Sequence, residues 1–285
     1  MAVEPSKDDR PSERRRPDGP ARRSSNQPYR GRDDRSRPGR PNGSPRPRAE
    51  RADDNRPPSE PPPQLPDDVD PSELDPDIRR DLRGLRKEIA ETVALHLVAA
   101  GTLLEDDPEQ ALRHARYARR RASRIAAVRE AAGIAAYRAG EWSEALAELR
   151  AARRMGGGPG HLAVMADIER ALGRPERALE LARSPEASEL PGADAVELII
   201  VAAGARRDLG DVNAAVSALE IGELDPAKRS EWSPRLFYAY ADNLLAAGRR
   251  DEATSWFLHA AEADDDELTD AAERLVELTG ETPEP

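Results

Sequence analysis

Residues 133–152 read GIAAYRAGEWSEALAELRAA, and this stretch decides the fold. A small residue, Gly133, precedes Gly140 by seven positions. Glu141-Trp142 then opens a second segment, in which Ala145, Leu149 and Ala152 fall on one helical face. Gly140 stands where a helix has to stop and reverse, a step that suits a left-handed residue. A glycine or alanine at the crossing lets two helix axes approach toward the close end of the usual range of about 8–10 Å. The stretch predicts two short helices packed as a hairpin.

The same arrangement recurs on both sides. The first-helix small residue is Ala99, Gly133, Ala166, Ala203 and Ala241 in turn. The early alanine of the second helix is Ala111, Ala145, Ala178, Ala215 and Ala253, in steps of 34, 33, 37 and 38 residues. Seven positions further stand Ala118, Ala152, Pro185, Gly222 and Ala260. Paired helices at a period near 34 are the signature of a helical solenoid, whose repeats bury a core only by stacking. The expected fold is therefore all-α. Five helix pairs are predicted over about 92–105/108–124, 126–139/142–154, 160–172/175–183, 194–209/212–224 and 234–247/250–263. Gly140, Gly173, Gly210 and Gly248 mark four of the hairpin turns; Asp106 stands at the first. Asp107-Pro108 and Ser233-Pro234 read as caps followed by proline at the first helical position. Pro185 predicts an early end, near Arg183, for the third second helix.

Flanking helices are expected at both ends of the stack. One starts at Pro76, with Ile78, Leu82, Leu85 and Ile89 at helical spacing, behind an acidic hinge at 67–75 (DDVDPSELD). The other, about 267–279, carries Leu268, Ala271, Leu275 and Leu278 on one face. The predicted organisation is a tail at 1–66, a hinge and flanking helix at 67–91, repeats at 92–263, and a capping helix with a short tail at 264–285.

Residues 1–66 hold 15 prolines and show no helical or strand periodicity, so they are read as a disordered Arg/Pro-rich tail that cannot offset its ordering entropy by burial. The tail carries 16 basic and 11 acidic side chains, while the whole chain is at −11, which leaves about −16 on residues 67–285. A basic tail on an acidic body suggests two binding modes or a contact between them. There is no cysteine, hence neither a disulfide framework nor thiolate chemistry. The N-terminal MAVEPSKDDR has no apolar signal-peptide core, and no apolar run approaches the roughly 20 residues of a membrane helix. A soluble, cytoplasmic protein is expected. Arginine (41) greatly outnumbers lysine (3), the bias of a high-GC bacterial genome.

The positions Gly133, Tyr137, Gly140-Glu141-Trp142, Ala145, Leu149 and Ala152 resemble the tetratricopeptide repeat (TPR) family, as do Ala241, Gly248, Ala253, Phe257 and Ala260. The resemblance covers roughly 92–263, and the Arg/Pro-rich leader is similar to that of an actinobacterial group within the family. It implies a right-handed superhelix whose first helices line a concave groove for a partner peptide or helix. Mapped by register, the groove would present His96, Ala100, Glu130, Ile134, Tyr137, Asp167, Arg170, Glu197, Arg207, Arg235, Tyr238 and Asp242. The Lys/Asn clamp that family members use for a C-terminal carboxylate is missing, since the corresponding early positions are His96 and Ala100.

A second constellation lies in EQALRHARYARRRASR at 109–124. At 100° per residue, Arg113, Arg116, Tyr117, Arg120 and Arg124 share one arc, opposite Ala111, Ala115, Ala118 and Ala122. Such a face could grip phosphates or an acidic peptide; the plain alternative is a solvated face in an arginine-rich composition. With the 12 arginines of residues 14–48, it supports an alternative reading as an RNA- or ribosome-associated factor.

Catalytic and metal signatures are absent. His96, His114, His161 and His259 have no zinc spacing. Asp264–Asp266 lacks the alternation of a calcium loop. The Gly-rich run 156–161 lacks the Lys-Ser/Thr ending of a P-loop and joins two helices. The expectation is a non-enzymatic interaction scaffold with no cofactor, no metal and no small-molecule substrate.

Overall fold

The structure, a computed structural model, describes residues 61–221 and 223–280, all within the unit Pro58–Pro285. The tail reading for residues 1–60 and the small residue Gly222 lie outside the described residues.

Alanine-rich helices with one apolar face have to pair to bury that face. They do so as five successive hairpins: α2 (Lys87–Thr102) with α3 (Pro108–Ala122), α4 (Ala126–Arg138) with α5 (Trp142–Gly156), α6 (Leu162–Ala171) with α7 (Pro175–Ala182), α8 (Gly192–Asp208) with α9 (Val212–Leu219), and α10 (Ser233–Ala246) with α11 (Arg250–Ala263). A short α1 (Pro76–Leu82) precedes the array and α12 (Ala271–Thr279) follows it. First helices also touch one another directly, α2 on α4, α6 on α8 and α8 on α10. The chain is all-α among the described residues.

The turns close by one device. Gly140, Gly173, Gly210 and Gly248 all have φ between 71° and 83°. In each turn the next residue's N–H reaches back five positions: Glu141 to Ala136, Arg174 to Glu169, Asp211 to Arg206 and Arg249 to Leu244, at 2.8–3.0 Å. This is the closure that satisfies a helix's last carbonyls once a left-handed residue is available. The first hairpin has no such residue. Asp107 caps α3 there by accepting the N–H of Gln110 at 3.0 Å.

The small residues sit at the crossings. Ala99, Ala166, Ala203 and Ala241 are fully buried, as are Ala111, Ala145, Ala178, Ala215 and Ala253. A Cβ added to Gly133 would fall 2.6 Å from Leu149 Cγ, so α4 and α5 are closer here than alanine permits. Bulk fills the spaces between crossings: Leu162, Met165 and Ile168 in the middle of the array, and Phe237, Phe257 and Leu244 toward its end.

Some boundaries differ from expectation. The N-terminal flanking helix ends at Leu82 instead of running through Leu85 to Ile89. Tight turns of Arg83 onto Arg80 and Leu85 onto Leu82 end it ahead of the new start at Lys87, and Gly84 sits where a helix interior is costly. α7 stops at Ala182 and Pro185 opens a 3-10 turn, Pro185–Glu189. α9 stops at Leu219 instead of 224. α10 starts at Ser233 itself, whose hydroxyl accepts the N–H of Ser230. α12 starts at Ala271 instead of 267, because the Asp264 carboxylate gathers the N–H groups of Leu268 and Thr269 and the Thr269 hydroxyl at 2.6–2.7 Å. This folds 264–270 into a loop with Glu267 at φ 53°.

Candidate functional site

From α4 to α10 the first helices present charged side chains that are organised largely by partners one repeat away. The Tyr137 hydroxyl on α4 donates to Asp167 on α6 at 2.8 Å. Arg170 on α6 donates to Asp167 at 3.1 Å and to Asp208 on α8 at 2.8 Å. Arg207 on α8 pairs with Asp242 on α10. Arg235 on α10 reaches back to Glu197 on α8 at 2.5 Å. Arginine suits this work because its planar fork can hold a carboxylate through two hydrogen bonds. The Tyr137 hydroxyl is pushed up to about 12 by burial and then by Asp167; Tyr238 is pushed up by burial and then by its hydrogen bond to Asp270. Both phenols are neutral donors throughout the physiological range.

A cleft of about 400 Å³ opens on this face between α6, α8, α10 and the 264–270 loop. It gathers five of the residues placed by register: Arg170, Arg207, Arg235, Tyr238 and Asp242. Gly204 forms part of its floor, with Arg170 laid across it. Leu268, half exposed, stands at its edge. At the other end of the face, Glu130 and Ile134 border a second, apolar trough, and the Glu130 carboxylate meets the His161 ring at 2.5 Å. Each partner favours the other's charged form, holding Glu130 below the usual carboxylate range and raising His161.

His96 does not join the face. Its ring lies buried against Tyr117, centroids 4.3 Å apart, and its Nδ1 shares a hydrogen bond with His114 Nδ1 at 2.8 Å. Burial, then His114, pushes His96 down to about 4 and burial lowers His114 as well. A neutral imidazole can be enclosed where the carboxylate at the equivalent position, Glu130, would need a charged partner.

Tyr117 is likewise buried and leaves the arc on which periodicity placed it. It sits three residues from buried His114 and so shares that side of α3. Arg121 stacks on its ring at 3.9 Å. Of the remaining basic-face residues, Arg116 is held by Glu144 on α5 at 2.5 Å and Arg113 donates to Gln110. Arg120 also contacts the Tyr117 ring, and Arg124 is exposed. Much of this face is thereby committed within the chain.

Sequence reasoning missed the partners. Glu148, nearly buried, is gripped by Arg119 at 3.1 Å and Arg129 at 2.7 Å. Glu169, fully buried, takes Arg150 at 2.5 Å. Gly204, one residue past the crossing alanine Ala203, was the legible signal, since a second small residue there marks a close approach. Among the described residues no group of three potential ligands is placed to hold a metal ion, and no helix is long and apolar enough to cross a membrane.

Five hairpins with small residues at the crossings and left-handed glycine closures at four of the turns repeat in phase along the array. The fold is TPR-like. No family model matches the chain, and no curated protein matches it. Among solved structures it is similar to "Crystal structure of YrrB: a TPR protein with an unusual peptide-binding site", at 16% sequence identity and a TM-score of 0.40, over 67% of this chain and 94% of that one. The candidate site of the TPR-like array accordingly rests on its own geometry.

Proposed function

We propose that the chain is a non-enzymatic interaction scaffold that holds a partner peptide or helix along its first-helix face. One observation carries this reading: three successive first helices and the 264–270 loop converge on a cleft whose arginines are already fixed by neighbouring carboxylates. Preorganised polar groups beside apolar patches such as Ile200 and Leu268 reduce the ordering cost of binding an extended or helical segment. The cations of the cleft are balanced by Asp242, Asp208 and Glu197, so a segment is recognised by shape and hydrogen bonding more than by net charge.

The test is a selection of random dodecapeptides displayed on phage against the immobilised full chain. Enriched peptides should bind wild type, and those seated in the cleft should lose at least tenfold in affinity to Tyr238→Ala or Arg207→Ala. Failure to enrich any sequence, with retention of RNA instead, would overturn the scaffold reading in favour of the tail.

A further inference from the structure

The apolar trough at the N-terminal end of the first-helix face has a volume of about 310 Å³ and lies between α2 and α4, with Ile78 of α1 at one side. Leu104 and Ile134 line it, and Glu130 is its only charged lining residue. Glu130 is also distinctive in its partner. The face carboxylates Asp167, Asp208, Glu197 and Asp242 are all held by arginines, whereas Glu130 is held by a histidine. A permanently charged guanidinium keeps its carboxylate at any physiological pH; an imidazole gives it up on losing its proton. Gly101, exposed at the C-terminal end of α2, also lines the trough, and a Cβ added there meets nothing within 4 Å.

We infer that this trough docks a partner segment carrying apolar side chains flanked by a lysine or arginine, the basic group displacing His161 from Glu130. The inference rests on the scaffold reading but concerns a different place on the face and a defined chemistry. Charge complementarity selects the occupant. The trough offers apolar walls and one carboxylate, within a body of about −16 that draws basic segments toward it. An acidic segment would place a carboxylate beside Glu130 with no cation in the lining to receive it. His161 is faced by Glu130 from α4 and by Asp194 from the first turn of α8, and both favour its protonated form. Protonated His161 thus competes with the incoming basic group, and neutral His161 does not.

The test uses the full chain and the same displayed dodecapeptide library, followed by fluorescence anisotropy with synthetic copies of the enriched peptides. The expected consensus places lysine or arginine next to apolar residues. Gly101→Leu, whose added Cβ meets no neighbour within 4 Å, puts bulk at the trough's edge and should weaken binding at least tenfold. Glu130→Gln should weaken it about tenfold and erase the preference for a basic residue. His161→Ala should tighten it and flatten its pH dependence, whereas wild type should bind more tightly at pH 8 than at pH 6. Retention of the wild-type melting temperature by Glu130→Gln and Gly101→Leu separates lost docking from lost folding. Peptides that bind Gly101→Leu and Glu130→Gln as well as wild type but fail on Tyr238→Ala would overturn this inference and leave the scaffold reading standing. Absence of any enriched peptide would overturn both.

Discussion

The Arg170 guanidinium lies directly on Gly204: a Cβ added to that glycine would fall 2.5 Å from Arg170 Cζ and 2.7 Å from both terminal nitrogens. Arg170 bridges Asp167 and Asp208 from this bed, so one missing side chain on α8 positions the cation that links α6 to α8. Gly204→Ala should displace the guanidinium and break the Asp208 bridge. The displaced atoms are the tip of a long side chain, and alanine restores about 1 kcal/mol of helix propensity. The melting temperature should shift by no more than about 3 °C while peptide affinity at the cleft falls, as read by calorimetry and anisotropy together.

Gly133 behaves differently. An added Cβ meets Leu149 Cγ at 2.6 Å and the Leu149 backbone nitrogen at 3.2 Å, so the α4–α5 pair itself has to open. Gly133→Ala should cost about 1–3 kcal/mol by overpacking, seen as a melting temperature several degrees lower. A larger insertion at an equivalent crossing, Ala253→Trp, should cost at least as much and loosen the fifth hairpin first, which hydrogen exchange on α10 and α11 would register. An unchanged melting temperature in Ala253→Trp would contradict the register.

The buried His96–His114 pair should make the first hairpin acid-sensitive. Both imidazoles take up protons less readily when folded than when unfolded, so the unfolded chain binds more protons and stability falls as pH drops. For His96 the loss accumulates between its unfolded value near 6.5 and its folded value of about 4. Denaturant titrations across that window should show a decline on the order of a few kcal/mol, beyond that of the double variant His96→Leu/His114→Leu.

Glu148 is nearly buried and carries both Arg119 and Arg129, joining α3, α4 and α5. Glu148→Ala removes the carboxylate shared by two partly exposed guanidinium groups, of which Arg129 keeps its hydrogen bond to the Ser123 carbonyl. Complete burial would put the cost at about 3–5 kcal/mol; the solvent access of the arginines reduces it to about 2 kcal/mol. Chemical denaturation of the full chain checks this value.

The hairpins were legible because their signals are local. A left-handed glycine, an Asp-Pro start and a small residue at fixed spacing each report on a few neighbouring residues. The face was legible in part. Arg170, Arg207, Arg235, Tyr238 and Asp242, singled out by register, line one cleft, since their helices repeat in phase. Their partners lie a repeat away, as with Arg207 and Asp242 or Arg170 and Asp208, and depend on how far each helix rotates about its axis. Periodicity does not fix that rotation to better than a residue. The same latitude hid the burial of Tyr117 and His96, which turn toward each other to fill space between α2 and α3. The 264–270 loop was missed for a different reason: a single carboxylate, Asp264, outcompetes the helix for three donors in a stretch with helical composition.

Hydrogen exchange of the full chain, with and without a peptide enriched by the display selection, tests the first-helix face most directly. Slowed exchange is expected on α6, α8 and α10 for cleft binders, or on α2 and α4 for binders of the apolar trough, with α3, α5, α7 and α9 unchanged. Protection confined to those second helices would contradict a first-helix binding face.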